Sequence, residues 1–169
     1  FVRWRTDVST DSRVRYGAAP GSLNMMVDDA TSTTEHEVEL SGLSADTIYY
    51  YSIGSTTQEL AGNDADHFFL TSPTIGTSKA TRVWVLGDSG TADANSRGVR
   101  DGYLGVTGSI HTDLWLMLGD NAYEDGTDAE YQSAVFDTYP SVLRKSVLWP
   151  TFGNHDGNSA DSSTQTGPY

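Results

Sequence analysis

The sequence predicts two domains, an all-β antiparallel sandwich followed by an α/β layered sheet. Residues 1 to about 73 alternate apolar and polar side chains in short runs separated by turn residues, which is typical of antiparallel strands. After residue 82, near-continuous apolar runs alternate with helical patterns, which implies parallel strands joined by right-handed crossovers. A polar stretch with glycine and proline separates the two patterns. We therefore assign residues 1–73 to the sandwich, 74–81 to a linker and 82–169 to the α/β domain.

Composition limits the possible functions. The chain has 23 acidic and 10 basic residues and a net charge of −13, which argues against binding to a nucleic-acid backbone. An anionic ligand therefore needs a local positive centre, and a metal ion held by carboxylates is one such centre. The chain has no cysteine, so disulfides and thiolate metal sites are excluded. No apolar stretch approaches the roughly 18 residues of a membrane span.

The first domain has four candidate strands with turn-rich segments between them. The segments "GAAPGS", "VDDATST" and "SGLSAD" are rich in residues that favour turns. "SGLSADTIYYYSIG", a Gly-Leu corner followed by a tyrosine-rich strand, resembles the fibronectin type III pattern, and the first strand of such a sandwich is missing. Side chains predicted to share a face are Val2 with Trp4, Val14 with Tyr16, Val38 with Leu40, and Ile48 with Tyr50.

The second domain reads as strand, helix, strand, helix, strand. The buried strands are predicted in "RVWVLGDSG", "TDLWLMLGDNAY" and "VLWPTFGNHDG". A loosely helical segment lies between the first two, and a second helical region follows the second strand, with Thr127 or Asp128 as its N-cap and Pro140 dividing it. This order predicts a parallel sheet whose strand ends lie at one edge.

A metal-competent side chain follows a glycine at each strand end. We call these three segments the strand tips: "GDSG" at 87–90, "GDNAY" at 119–123 and "GNHD" at 153–156. Ligands bind at the carboxyl ends of parallel strands, and glycine there permits sharp turns and close approach of an ion or phosphate. We therefore expect the tips to converge on one site. The side chains that meet there are predicted to be Asp88, Asp120, Asn154 and His155.

Each tip taken singly also has an ordinary structural explanation. A Gly-Asp pair after a strand is commonly a turn or helix cap, Tyr123 alone suits packing, and Asn154 with His155 suits a turn. It is the recurrence of the pattern at three strands that favours a site. "DNAYEDGTDAE" lacks the ligand spacing of an EF-hand. The other three histidines have no matching partners in the pattern and are interpreted as surface or structural residues: His36, His67 and His111.

The three tips, behind a fibronectin-like domain, resemble the purple acid phosphatases within the calcineurin-like metallophosphoesterases. The resemblance implies that the second domain is the N-terminal half of a four-layer αββα metallophosphoesterase domain. It also implies a secreted or extracytoplasmic protein and a dinuclear centre that pairs Fe(III) with Fe(II), Zn or Mn. A two-metal centre lowers the pKa of a water and clamps both oxygens of an in-line displacement at phosphorus.

The resemblance also implies a role for each tip residue. Asp88 binds one metal, Asp120 bridges both, and Tyr123 is the phenolate that selects Fe(III). Asn154 binds the second metal, and His155 contacts the substrate phosphate and protonates the leaving group. Asp156 stands where the family commonly has Glu, and the sequence predicts that it orients His155.

One departure from the family pattern is serious. The family completes its site with three further histidines, and no histidine follows His155 here. The chain also begins at Phe1 and stops at Tyr169 as if cut. We therefore expect a segment of a longer protein that is inactive alone. Either the missing ligands lie beyond Tyr169, or the segment cannot hold two metals tightly.

Three functions remain open from the sequence. The leading hypothesis is metal-dependent hydrolysis of phosphomonoesters, and the second is phosphodiesterase or nucleotidase activity on the same metal core. The third is a non-catalytic binding or assembly module with an incomplete metal site. The expected partner is a phosphate ester. A sheet that ends after the third tip also predicts self-association through its exposed edge, its uncovered face or the sandwich domain.

Overall fold

The computed structural model describes residues 1–161 and shows a largely β protein with two sheets and few helices. The chain divides into two compact units, Phe1–Lys79 and Ala80–Tyr169. The division falls within the predicted linker, residues 74–81, which contains neither strand nor helix. The end of the predicted second domain, residues 162–169, lies outside the described residues. Within residues 1–161, no helix is both long enough and apolar enough to cross a membrane.

The first unit is an antiparallel sheet. Its strands are ordered β2-β1-β3-β4 among the described residues. β5 also pairs with β3, along the same edge of that strand as β4. The strands are β1 (Val2–Gly17), β2 (Met25–Val38), β3 (Ile48–Gly54), β4 (Glu59–Gly62) and β5 (Phe68–Leu70).

The two longest strands, β1 and β2, differ from the prediction. "VDDATST", predicted as a turn, lies within β2, and "FVRWRT" and "SRVRYG" are parts of one strand. Cross-strand pairing accounts for the difference, because Arg13 is paired with Asp28 in register and forms a 2.6 Å ion pair with it. The polar residues of β2 are thus held in an extended conformation by partners that are remote in sequence.

The β1–β2 ribbon folds back on itself where its register shifts between Arg5 and Ser12. His36 lies opposite Trp4 in the ladder, yet its Nδ1 is 2.8 Å from the Ser12 hydroxyl. An unbent strand would separate residues 4 and 12 by roughly 26 Å, far beyond the reach of a side chain. The bend places Val2 and Trp4 in the same core as Val14.

In β3, the buried face is the one opposite Ile48 and Tyr50. Tyr49 and Tyr51 are buried, and Ile48 is 46% exposed. The phenol of Tyr49 also accepts a hydrogen bond from the Ser44 backbone N–H at 3.1 Å. Tyrosine therefore supplies both the apolar surface and the polar anchor of this core.

The second unit contains a parallel sheet in the order β6-β7-β8. This arrangement confirms the predicted succession of strands and helical connections. The strands are β6 (Val83–Leu86), β7 (Leu114–Met117) and β8 (Val147–Pro150). The helical elements are α1 (Ala94–Thr107), α2 (Asp128–Tyr131), a π-helical turn (Gln132–Phe136), α3 (Pro140–Leu143) and a 3₁₀ turn (Asp156–Ser159).

The helical connections pack on one face of this sheet. Trp84, Trp115 and Met117 point into a core that also contains Tyr131 and Tyr139. Trp115 and Tyr139 are fully buried, with ring centroids 4.8 Å apart. This packing fixes the three strands relative to one another, and with them the edge at which the strand tips emerge.

The caps of the second helical region agree with the prediction. The hydroxyl of Thr127 accepts from the Glu130 N–H, and the Glu130 carboxylate accepts from the Thr127 N–H at 2.7 Å. Pro140 occupies the first turn of α3, where its missing N–H costs no helical hydrogen bond.

Candidate metal centre

The three strand tips leave the sheet at the same edge because β6, β7 and β8 are parallel. Backbone hydrogen bonds join the first two tips: the Asp88 N–H donates to the Gly119 carbonyl at 3.1 Å. The Gly90 N–H donates to the Asp120 carbonyl at 3.0 Å. These two hydrogen bonds hold the first and second tips against each other.

Glycines let the tips touch one another. Gly119, at φ +100°, lies so close to Gly153 that an added Cβ would be 2.8 Å from its Cα. A Cβ on Gly153 would overlap with the Asp120 carboxylate, and one on Gly90 would overlap with the Ala122 backbone. The sequence predicts that these glycines admit an ion or phosphate. Their contacts in the structure are with the neighbouring tips.

Two aspartates at the tips adopt left-handed backbone conformations. Asp88 has φ +52° and Asp120 has φ +51°. Such values are uncommon for residues other than glycine, although aspartate tolerates them better than most. Strained conformations of this kind persist where the surrounding structure fixes them, and they concentrate at functional sites.

Asp88, Asp120 and Tyr123 form a cluster that we call the oxygen cluster. The Tyr123 phenol lies 3.1 Å from a carboxylate oxygen of Asp88 and 3.1 Å from one of Asp120. Burial, together with hydrogen bonds to Asp120 and then Asp88, raises the pKa of Tyr123 far above its ordinary value. The phenol proton thus lies between two carboxylates contributed by different strand tips.

His155 lies beside the oxygen cluster. Its backbone N–H donates to Asp120 Oδ1 at 3.1 Å, and its ring packs edge-on against Tyr123 with centroids 4.7 Å apart. Its Nδ1 is 2.6 Å from the Glu124 carbonyl, which can only accept, so Nδ1 carries the proton. That hydrogen bond is the main cause of a raised pKa for His155, with further contributions from Asp120 and the neighbouring acids.

An open cleft runs along this edge. It is lined by Thr91, Tyr123, Glu124 and His155. Since Nδ1 of His155 is engaged by a backbone carbonyl, the ring is held in place and Nε2 is the nitrogen left for chemistry. The cleft therefore brings the His155 ring together with the Tyr123 phenol.

Asp156 has partners other than the predicted one. The sequence predicts that it orients His155, but its fully buried carboxylate accepts hydrogen bonds from the second tip, from its own tip and from α2. The Tyr131 hydroxyl donates at 2.9 Å, the Asn121 N–H at 2.9 Å and the Gly153 N–H at 2.8 Å. His155 is oriented by Glu124 instead. The reason is burial, because a carboxylate removed from water takes the backbone donors around it.

The residues present fit part of a metal site. Among the described residues, no group of three or more His, Cys, Asp or Glu side chains is arranged to hold a metal ion. The Tyr123 phenol oxygen nevertheless lies 3.1 Å from a carboxylate oxygen of Asp88 and from one of Asp120, and oxygen donors suit hard cations. Asn154 is exposed next to Gly153, which contacts Asp120. The donor chemistry agrees with oxygen coordination of a cation, and the described ligand set is partial.

Sequence reasoning missed two residues that shape the site. Glu130 accepts hydrogen bonds from the Glu124 N–H at 2.7 Å and the Asp125 N–H at 3.3 Å, which fixes the loop after Tyr123. The spacing of Thr127 and Glu130 is a capping-box signal that identifies this carboxylate. Asn121 is the other: its Nδ2 donates to the Thr151 carbonyl at 2.8 Å. No local pattern predicts that contact.

Comparison with known proteins gives one family match. Residues 1–74 match the family model described as the purple acid phosphatase, N-terminal domain. The match covers the first unit and confirms the resemblance over that part of the chain. A comparison with curated proteins finds no match.

Proposed function

We propose that this chain is part of a metal-dependent hydrolase of phosphomonoesters. The proposal starts from the match of residues 1–74 to the purple acid phosphatase N-terminal domain family. In this proposal, the second unit is the N-terminal part of an α/β metallophosphoesterase domain. The alternating strands and helices and the edge at which the tips meet support that assignment. Secretion is proposed from the family alone.

A single observation carries the proposal. One phenol, that of Tyr123, contacts carboxylates from two different strand tips at 3.1 Å each. Two aspartates in left-handed conformations hold those carboxylates in place. A cation placed where the phenol proton lies would meet three oxygens at once. Packing alone does not require such an arrangement at the exposed end of a sheet.

In this proposal Tyr123 would hold Fe(III), and Asn154 would hold Fe(II), Zn or Mn. Asp88 would hold one of the two metals, and Asp120 would be shared by both. When bound, the metal pair would supply positive charge for the phosphate and an activated water. A neutral amide at Asn154 adds a ligand without further negative charge, which keeps the centre attractive to a phosphate dianion.

The chain's own residues supply positioning and a proton. The Glu124 carbonyl fixes Nδ1–H of His155, so Nε2 is the atom that gives a proton to the leaving oxygen. The acidic groups around the ring favour its protonated form. Thr91 and Glu124 line the cleft beside that ring.

The test is phosphate release from a monoester by the whole protein supplied with iron and zinc. We expect Asp120→Asn to lower turnover by at least about 100-fold, since the change removes a ligand shared by both metals. Asp101→Asn is the control, because that carboxylate lies on α1, is exposed and pairs with Arg100. The control should retain activity.

The same assay separates the alternatives. Equal turnover by Asp120→Asn and wild type would contradict the proposal. Faster release from a bis-ester than from a monoester would favour the phosphodiesterase or nucleotidase function. Absence of turnover on both esters by metal-supplied wild type would favour a non-catalytic binding or assembly module.

A further inference from the structure

Asp156 is a buried charge at the junction of the second and third tips. Its carboxylate is fully buried, and its donors come from both sides of the junction. Asn121 and Ala122, directly after Asp120, donate their backbone N–H groups at 2.9 and 3.1 Å. Gly153, directly before Asn154, donates its N–H at 2.8 Å. One side chain thus joins the segments that carry Asp120 and Asn154.

We propose that Asp156 is the positioning residue of the candidate metal centre, holding the Asp120–Tyr123 segment against the third strand tip. This inference rests on the proposed function and assigns a role that the sequence comparison does not. Asp156 acts on the ligands through the backbone, and its effect is independent of His155.

The negative charge is what makes Asp156 suitable for this task. Three backbone N–H groups and the Tyr131 hydroxyl all point at its two oxygens. A carboxylate accepts at every position, whereas an asparagine would turn an N–H₂ group toward some of these donors. Buried donors left without an acceptor are costly, so the loop would shift to reach water.

The loop that follows Tyr123 packs closely against the backbone of Asp156. Gly126, at φ +65°, lies so close to Asp156 that an added Cβ would be 2.5 Å from its Cα. The Ser159 hydroxyl donates to the Gly126 carbonyl at 2.5 Å and closes the loop around Asp156. The segment from Asp120 to Gly126 is therefore wrapped around one buried carboxylate.

The experiment compares Asp156→Asn with Asp156→Glu, Tyr131→Phe and His155→Asn in the full 169-residue chain. The first readout, which needs no metal, is hydrogen exchange at the Asn121, Ala122 and Gly153 amides. The second is the affinity for ferric iron alone. We expect Asp156→Asn to accelerate exchange at those amides at least tenfold and to weaken iron binding at least tenfold. Asp156→Glu should restore part of both.

The remaining variants keep the test decisive. Tyr131→Phe removes one donor and leaves the charge, so exchange at the three amides should rise severalfold even where Asp156→Asn does not fold. His155→Asn should leave those amides protected. Unchanged exchange in Tyr131→Phe and in folded Asp156→Asn would overturn the inference. Loss of iron affinity in Asp156→Asn with exchange unchanged would also overturn it.

The two readouts separate this inference from the proposed function. If the wild-type chain bound no ferric iron while the amide exchange responded as expected, the proposed metal centre would fail. The positioning of the loop by Asp156 would still stand.

Discussion

At the scale of single residues, Gly153 is the position where the site tolerates least change. A Cβ there would overlap with Oδ1 and the backbone N of Asp120. We expect Gly153→Ala to push the Asp120 carboxylate out of the oxygen cluster and to destabilise the fold by about 1–3 kcal/mol, as overpacking typically does. The measurement is the midpoint of urea unfolding together with ferric iron affinity.

Gly157 provides the control for that substitution. An added Cβ there meets nothing within 4 Å. Gly157→Ala should therefore unfold at the same urea concentration as wild type and bind iron equally well. Indistinguishable results for Gly153→Ala and Gly157→Ala would show that the contact between the second and third tips does not position Asp120.

The sequence predicts some of these residues and not others, for a physical reason. Asp88 meets Asp120 and Tyr123 because parallel strands end at one edge of the sheet. The strand pattern in the sequence is therefore enough to predict this contact. Apart from the Gly153 N–H, the partners of Asp156 described above are backbone N–H groups more than thirty residues away and a tyrosine on α2. No spacing rule encodes those contacts, which depend on the packed loop.

At the scale of elements, the bend of the β1–β2 ribbon depends on His36. The Thr6 hydroxyl donates to the Val8 carbonyl at 2.9 Å, so it accepts from Nε2–H of His36. Nδ1 is then free of a proton and accepts from the Ser12 hydroxyl at 2.8 Å. Neutral His36 thereby links the two ends of the bend, and protonation of Nδ1 would remove the acceptor for the Ser12 hydroxyl and place a charge in a buried site.

This arrangement predicts a pH dependence of stability. Burial lowers the pKa of His36, and the nearby charges of Glu35 and Asp11 offset this only in part. The unfolded chain, with an ordinary histidine pKa of about 6.5, therefore takes up the proton before the folded chain does. Above the pKa of the unfolded chain, neutral His36 makes its full contribution to the free energy of unfolding. That contribution is lost as the pH falls through the lower pKa of the folded chain.

The measurement is the free energy of unfolding of wild type and His36→Gln between pH 7.5 and 5. Glutamine cannot titrate, so the advantage of wild type over His36→Gln should shrink as the pH falls. An advantage that stays constant across this range would contradict the role given to His36.

The lengths of these two strands were beyond local sequence reasoning. "VDDATST" has the composition of a turn, yet cross-strand ion pairs such as Arg13 with Asp28 hold it extended. Tertiary partners override local propensity in strands more than in helices. The helices agree better with prediction because their caps, Thr127 and Pro140, are local signals.

At the scale of the whole molecule, the parallel sheet is covered by its helices on one face only, as far as the described residues show. Val85 and Trp149, on the opposite face, are 52% and 64% exposed. Exposed apolar strands favour association between copies of a chain. Self-association through this face therefore remains a prediction, alongside the edge strands β6 and β8.

The family match and the oxygen cluster lie in different units of the chain. The family match covers residues 1–74, the unit without the oxygen cluster. The chemistry proposed for the second unit rests on the convergence of its three tips. The proposed chemistry accordingly requires that Asp88, Asp120 and Tyr123 together hold a metal ion.

Visible absorption during a ferric iron titration tests this metal site, since Fe(III) bound to a phenolate absorbs visible light. We expect a band for the wild-type chain, its loss in Tyr123→Phe and its retention in Tyr103→Phe. Tyr103 serves as the control because it stacks on Trp84 with centroids 4.1 Å apart and packs against the core. A wild-type chain without the band, or a band that survives in Tyr123→Phe, would show that Asp88, Asp120 and Tyr123 do not hold a ferric ion.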